Sequence, residues 1–156
     1  MLFVVIGIEI LSVKSADASS VHSSGNYPPS QAIDKDIETM FHSDDVSLTD
    51  KTNPWLQIEL AYVATVHQVI IINRKSNGDR IKNVALRVGS TKFIKGTDLK
   101  DDEICAKYQG PGKHGEKIEI KCSSPMKGKY VSIHLIEHTP AIINLMEIVI
   151  YGNPGK

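Results

Sequence analysis

The hydrophobic pattern of this chain is one of short runs with period two. In "PWLQIEL", Leu56, Ile58 and Leu60 share one face while Gln57 and Glu59 share the other, the signature of a half-buried strand. "VHQVIIIN", residues 66 to 73, is apolar on both faces and rich in isoleucine, which suits a strand covered from two sides. "VALRV", "KIEIKC", "KYVSIHLI" and "LMEIVIYG" follow, and Gly89, "QGPGKHG", "SSPMKGK" and "EHTPA" punctuate them as predicted turns. No stretch sustains a helical period. Many short strands separated by glycine and proline turns predict an all-β fold, an antiparallel β-sandwich rather than a parallel sheet. The segment "SSGNYPPSQAIDKDIETMFHSDD" lacks the alternation and reads as an ordered loop region, with one helical turn at "PSQAID" beginning at Pro29 or Ser30. No internal repeat, linker or second domain is apparent.

The first 18 residues stand apart. "LFVVIGIEILSV" is followed by Lys14 and by Ala16-Asp17-Ala18, small residues with signal-peptidase spacing. The run is too short to span a bilayer. Residues 1–18 are therefore expected to be a cleaved signal peptide and 19–156 the mature, secreted domain, although Glu9 within the run and the lack of a preceding Lys or Arg also suit a buried N-terminal strand.

Composition narrows the function. Of 18 basic and 18 acidic residues the leader would remove Lys14, Glu9 and Asp17, leaving 17 against 16 and a net charge of +1. Nucleic-acid binding would demand a large basic excess and is not expected. In a secreted context Cys105 and Cys122 can oxidise and close a loop across a hairpin-like segment, the other reading being two free buried thiols. No HExxH, GxSxG, phosphate-binding glycine loop or CxxC is present, and the six histidines have no metal-ligand spacing, so an enzyme is not expected. Asp34, Asp36, Glu38, Asp44 and Asp45 are hard oxygen donors gathered in one loop region and make Ca²⁺ a candidate, though the EF-hand pattern is absent.

"PPSQAIDKD", "NPWLQIEL", "INRKSNGDRIKNVALRVG", "GKYVSIHL" and "NLMEIVIYG" occur in this order, and together the chain from about Ser19 to Gly152 resembles the F-type lectins, the fucolectin branch of the discoidin-like sandwiches. The resemblance implies a jelly-roll β-sandwich with a structural Ca²⁺ beside a shallow sugar pocket. It implies metal contacts from the main chain of Gln31, Asp36 and Met146 and from Asp34, Asp44 and Glu147. It also implies that Cys105–Cys122 is a family bridge, while Asp45 and Met146 stand where a second bridge would be. For the sugar, the family uses a histidine, then R-x-D and a second basic residue. Arg74 and Arg80 fill the basic positions. Ser47 falls where the histidine should be and Ser76 replaces the acid, leaving Asp79 as a candidate to hold the guanidiniums and His42 as a candidate to replace the histidine.

Two guanidiniums offer fixed forks of N–H donors to sugar hydroxyls and a ring oxygen. The expected function is calcium-stabilised binding of glycans, with fucosylated ones as candidates and avidity from several copies. Two other classes compete. A decayed site would leave a protein-interaction module, and Met40, Phe41, Val46 and Leu48 at loop tips would make a membrane-binding module.

Overall fold

The computed structural model describes residues 7–44, 54–95, 103–136 and 142–155. Its strands are β1 Glu9–Ile10, β2 Val13–Ala18, β3 Phe41–His42, β4 Trp55–Asn73, β5 Val84–Gly89, β6 Ile104–Tyr108, β7 Lys117–Leu135 and β8 Asn144–Pro154. They hydrogen-bond in the order β1-β8-β4-β7-β5-β6, with β2 on β4 and β3 on β8. Every pairing is antiparallel.

Two strands of 19 residues each, β4 and β7, turn this ladder into two layers. The first part of β4 pairs with β2 and with residues 130–134 of β7. After a register shift between Glu59 and Ala64, its second part pairs with β8 and with residues 117–128 of β7. Leu56, Ile58, Leu86 and Ile133 from one half meet Val69, Ile71, Ile118 and Ile148 from the other in a single buried core. The result is the expected antiparallel β-sandwich, which follows from period-two burial on the inner faces.

Three details differ from the pattern-based reading. The runs "PWLQIEL" and "VHQVIIIN" belong to one strand, because the exposed residues 61–63 bulge out of the ladder instead of turning. "SSPMKGK" is also strand, not turn, and Gly128 permits it: a Cβ there would lie 2.6 Å from the Gly89 carbonyl oxygen. Gln57, expected on a solvent face, is only 3% exposed. Its amide donates to the Thr91 carbonyl (3.2 Å) and accepts from the Phe93 N–H (2.9 Å), so the chain after β5 covers it. The helical turn at Pro29–Ala32 is present as a 3₁₀ turn, and the 137–141 turn lies outside the described residues.

The N-terminal residues take part in the sheet. β1 pairs with β8 and β2 with β4, and Leu11 and Ala18 are buried in the core. Cleavage after Ala18 would strip both strands away and uncover the backbone of residues 56–60. Cys105 on β6 and Cys122 on β7 form the expected disulfide, with Cα atoms 4.6 Å apart. His134 is buried in β7 and accepts from Arg87 Nε at 3.1 Å.

A chain beginning at Ser19 is predicted to melt below the full chain in calorimetry, because β4 loses a neighbour along five residue positions. Replacing both cysteines by alanine is predicted to cost roughly 3 kcal/mol in denaturant unfolding, the entropy of closing a loop of this length.

Candidate functional site

β4 delivers the first arginine, and a buried asparagine at its end fixes where. Asn73 is 1% exposed. Its amide donates to the carbonyls of Gly78 (2.9 Å) and Lys113 (2.8 Å) and accepts from the Arg74 N–H (2.9 Å). The following loop passes through Asn77, whose φ of 51° is left-handed, into a 3₁₀ turn at Gly78–Arg80. Gly78 is required there because a Cβ would lie 2.7 Å from the Lys113 backbone. Its N–H donates to His114 Nδ1 (3.0 Å), and the Gly115 N–H donates to the Arg74 carbonyl (2.8 Å). The "QGPGKHG" loop is therefore a clamp on the arginine loop.

Arg74 and Arg80 converge. With the Asn144 amide turned so that its oxygen faces the guanidiniums, the orientation its neighbours require, that oxygen accepts from Arg74 Nη1 at 2.8 Å and from Arg80 Nη1 at 3.0 Å. Arg74 Nη2 also reaches the Ser76 hydroxyl at 3.3 Å, and Arg74 Nε is buried with no hydrogen-bond partner. Burial and the neighbouring Arg80 charge both disfavour the charged form of Arg74. Asp79, the candidate for holding the two forks, does not do so. It is exposed, and no ion pair joins it to either arginine among the described residues. The neutral amide of Asn144 takes that place.

His42 lies beneath this pair but is not a donor to its mouth. The β3–β8 register sets His42 opposite Asn144. Its ring is 9% exposed and its Nδ1 meets the Ser43 carbonyl at 2.6 Å, so that the proton on Nδ1 is already used. The ring packs against His22 and Tyr27, with centroids 4.8 and 5.9 Å away. Burial lowers its pKa, and the charges of His22, Arg74 and Arg80 lower it further. Ser47 lies outside the described residues.

The acidic loop meets β8 next to the arginines. Asp34 accepts from the Thr39 hydroxyl and the Asp36 N–H at 2.5 and 2.9 Å, closing a tight turn. Lys35, with a left-handed φ of 64°, aims its N–H at Glu147 Oε2, 3.1 Å away. Glu147 is 6% exposed. Burial and then the Asp34 carboxylate raise its pKa to about 7, with Asp36 adding to the effect. For Asp34, burial opposes ionisation, but hydrogen bonds from Thr39, Asp36 and Glu147 hold its pKa below the ordinary value. Asp44 ends this region, its N–H donated to Ser20. Among the described residues no three carboxylate, imidazole or thiol groups gather closely enough to hold a cation by themselves. A hard cation would rely on the Asp34–Glu147 pair and on carbonyl oxygens such as those of Gln31, Asp36 and Met146.

Between the two loops lies a cleft of about 360 Å³ whose walls include Tyr27, Gln31, Met40, Arg74, Ser76 and Met146. Lys75 Nζ and both Glu38 carboxylate oxygens, each 2.8 Å away, tie the arginine loop to the acidic loop at its rim. Sequence reasoning names neither Tyr27 nor Asn144, and Met40 only as a loop-tip residue of the membrane reading. A polar Asn144 opening an apolar strand is the one signal that could have drawn attention to it.

The F5/8 type C domain profile matches residues 15–148. The chain belongs to this family. Within it, the resemblance to the fucolectins holds: the chain is 29% identical to "Fucolectin-4" of Anguilla japonica over 107 residues, 68% of this chain and 58% of the relative. This F5/8 type C domain thus spans under three fifths of that relative's length. A fucolectin from the serum of Morone saxatilis superposes with a TM-score of 0.70 at 23% identity, over 90% of this chain and 46% of that one. A family 32 carbohydrate-binding module of C. perfringens NanJ, solved in complex with galactose, superposes with a TM-score of 0.68 at 20% identity, over 88% and 92%. Both superpositions show the fold.

The paired carboxylates predict a pH dependence. Because the folded pKa of Glu147 is raised from 4.5 to about 7, its contribution is fully present below about pH 4.5 and is lost as pH rises through about 7. In chelator, the melting temperature is predicted to fall across that window, and Glu147→Gln to flatten the fall.

Proposed function

We propose that this F5/8 type C domain is a secreted, calcium-stabilised carbohydrate-binding module of the lectin type. The observation that carries the reading is the convergence of Arg74 and Arg80 on one oxygen, with Arg74 in the wall of a cleft whose other side is formed by Gln31, Glu38 and Thr39 of the acidic loop and by Met146. Relatives named as fucolectins and a like-folded module solved with galactose support a saccharide as ligand.

The arrangement explains how binding would work. A monosaccharide offers vicinal hydroxyls spaced for a guanidinium fork, and Arg74 presents its fork from a strand end fixed by Asn73 and the His114 loop. Tyr27, Met40 and Met146 give the cleft apolar surface for the C–H faces of a sugar ring. L-fucose, whose methyl group needs such a surface, is a candidate. Asn144 holds the second fork beside the first, so little rearrangement is needed on binding.

Calcium suits the acidic loop. Two carboxylates within hydrogen-bond reach of one another, one of them buried, form a site whose charged form needs a cation. Asp34 and Glu147, with main-chain oxygens of Gln31, Asp36 and Met146, would hold it, while the Asp44 carboxylate does not gather with that pair. The ion supplies charge neutralisation and ties the acidic loop to β8. A few hydrogen bonds to an exposed sugar give weak binding per site, so several copies, or display on a larger assembly, would supply avidity. Of the side chains in the membrane reading, Phe41 is fully buried, Met40 is half-buried, and Val46 and Leu48 lie outside the described residues.

A glycan array followed by calorimetric titration tests this. Arg74→Ala is predicted to weaken saccharide binding by roughly tenfold or more, the loss of hydrogen bonds to a charged donor, and chelator to weaken binding and lower the melting temperature. Binding unchanged by Arg74→Ala, or a melting temperature indifferent to chelator, would remove the site or the metal respectively.

A further inference from the structure

Among the described residues the two guanidiniums form a doubly cationic centre with no compensating carboxylate. Arg74 and Arg80 share one acceptor, the neutral oxygen of Asn144, and Arg74's remaining side-chain bond is to the neutral hydroxyl of Ser76. Among the described residues no carboxylate pairs with either. Asp79 next to Arg80 is exposed without a bond to it, and Glu38 across the cleft is taken by Lys75 at 2.8 Å. The flanking rings of His42 and His22 bring no negative charge. One donor, Arg74 Nε, is buried with no hydrogen-bond partner among the described residues.

Half-buried cations in such an arrangement gain most from an oxyanion, which accepts several N–H bonds at once and cancels the repulsion between the forks. A neutral hydroxyl can do the first but not the second. Resting on the carbohydrate-binding reading above, we propose that the preferred ligand is an acidic saccharide, one whose sulfate or carboxylate is gripped by Arg74 and Arg80 while its sugar ring lies in the cleft against Tyr27, Met40 and Met146. The chain as a whole carries 18 basic and 18 acidic residues, so this preference is a property of the site and not of the net charge.

Ser76 provides the control, since it is exposed, lies on a loop and sits 3.3 Å from Arg74 Nη2. Ser76→Asp places a carboxylate beside the forks without touching the core, while Ser76→Ala removes the hydroxyl without adding charge. Wild type and both variants would be titrated calorimetrically with galactose, galactose 6-sulfate, galacturonate, L-fucose and inorganic sulfate, in calcium at low and high salt. The expected result is binding of the sulfated or carboxylated sugar roughly tenfold or more tighter than its neutral counterpart. That preference should shrink at high salt, persist in Ser76→Ala and be lost in Ser76→Asp, with inorganic sulfate alone binding more weakly than the sulfated sugar. Neutral sugars binding as tightly as acidic ones, or an acid preference that survives Ser76→Asp, would overturn the inference and leave the carbohydrate reading standing. Inorganic sulfate matching the sulfated sugar would overturn the part played by the cleft, and no binding of any sugar would overturn both readings.

Discussion

One amide oxygen organises this surface. Because Asn144 accepts from both Arg74 and Arg80, two long cationic side chains from a single loop are fixed side by side instead of spreading into solvent. Asn144 itself is 2% exposed and is placed by antiparallel pairing with β3. The same short stretch of β8 continues into Leu145 in the core, Met146 in the cleft and Glu147 against Asp34. Side chains three positions apart on one strand therefore serve the cationic and the acidic halves of the site, which couples the two.

The electrostatic cost of this arrangement decides what it is for. Two guanidiniums a few ångströms apart repel by about 3 kcal/mol at an effective dielectric constant of 20. Nearby, burial and then the repulsion of the Asp34 carboxylate raise the Glu147 pKa to about 7. Cations bunched on one side and anions on the other, each group turned toward its own kind, is a poor arrangement for stability alone. It becomes favourable when a cation sits with the acids and an electron-rich ligand with the arginines, which is how a binding surface is held ready at the expense of the free protein.

Much of the fold was legible because period two is a local property. The inner residues Leu56, Ile58 and Leu60, the 3₁₀ turn at Pro29 and the Cys105–Cys122 bridge follow from sequence pattern and chemistry alone. The continuation of β4 through residues 61–63 and of β7 through "SSPMKGK" was not legible, because turn residues and bulge residues are the same types and only the partner strand distinguishes them. In the site, Arg74, Arg80, Asp34 and Glu147 could be named, yet their partners could not. That His42 faces Asn144 and that Asn73 grips Lys113 depend on register between segments far apart in the chain, and spacing holds no record of register. Asp79 illustrates the converse: adjacency in sequence to Arg80 suggested a partner that the 3₁₀ turn points elsewhere.

The central claim is that both guanidiniums meet at residue 144, and a melting curve of Asn144→Asp tests it most directly. The substitution keeps the shape of the side chain and puts a negative charge where two positive ones converge. If the account is right, Asn144→Asp melts several degrees above the wild type at low ionic strength, with the gain shrinking as salt is added. A melting temperature equal to or below that of the wild type at low salt would show that the arginines do not meet there.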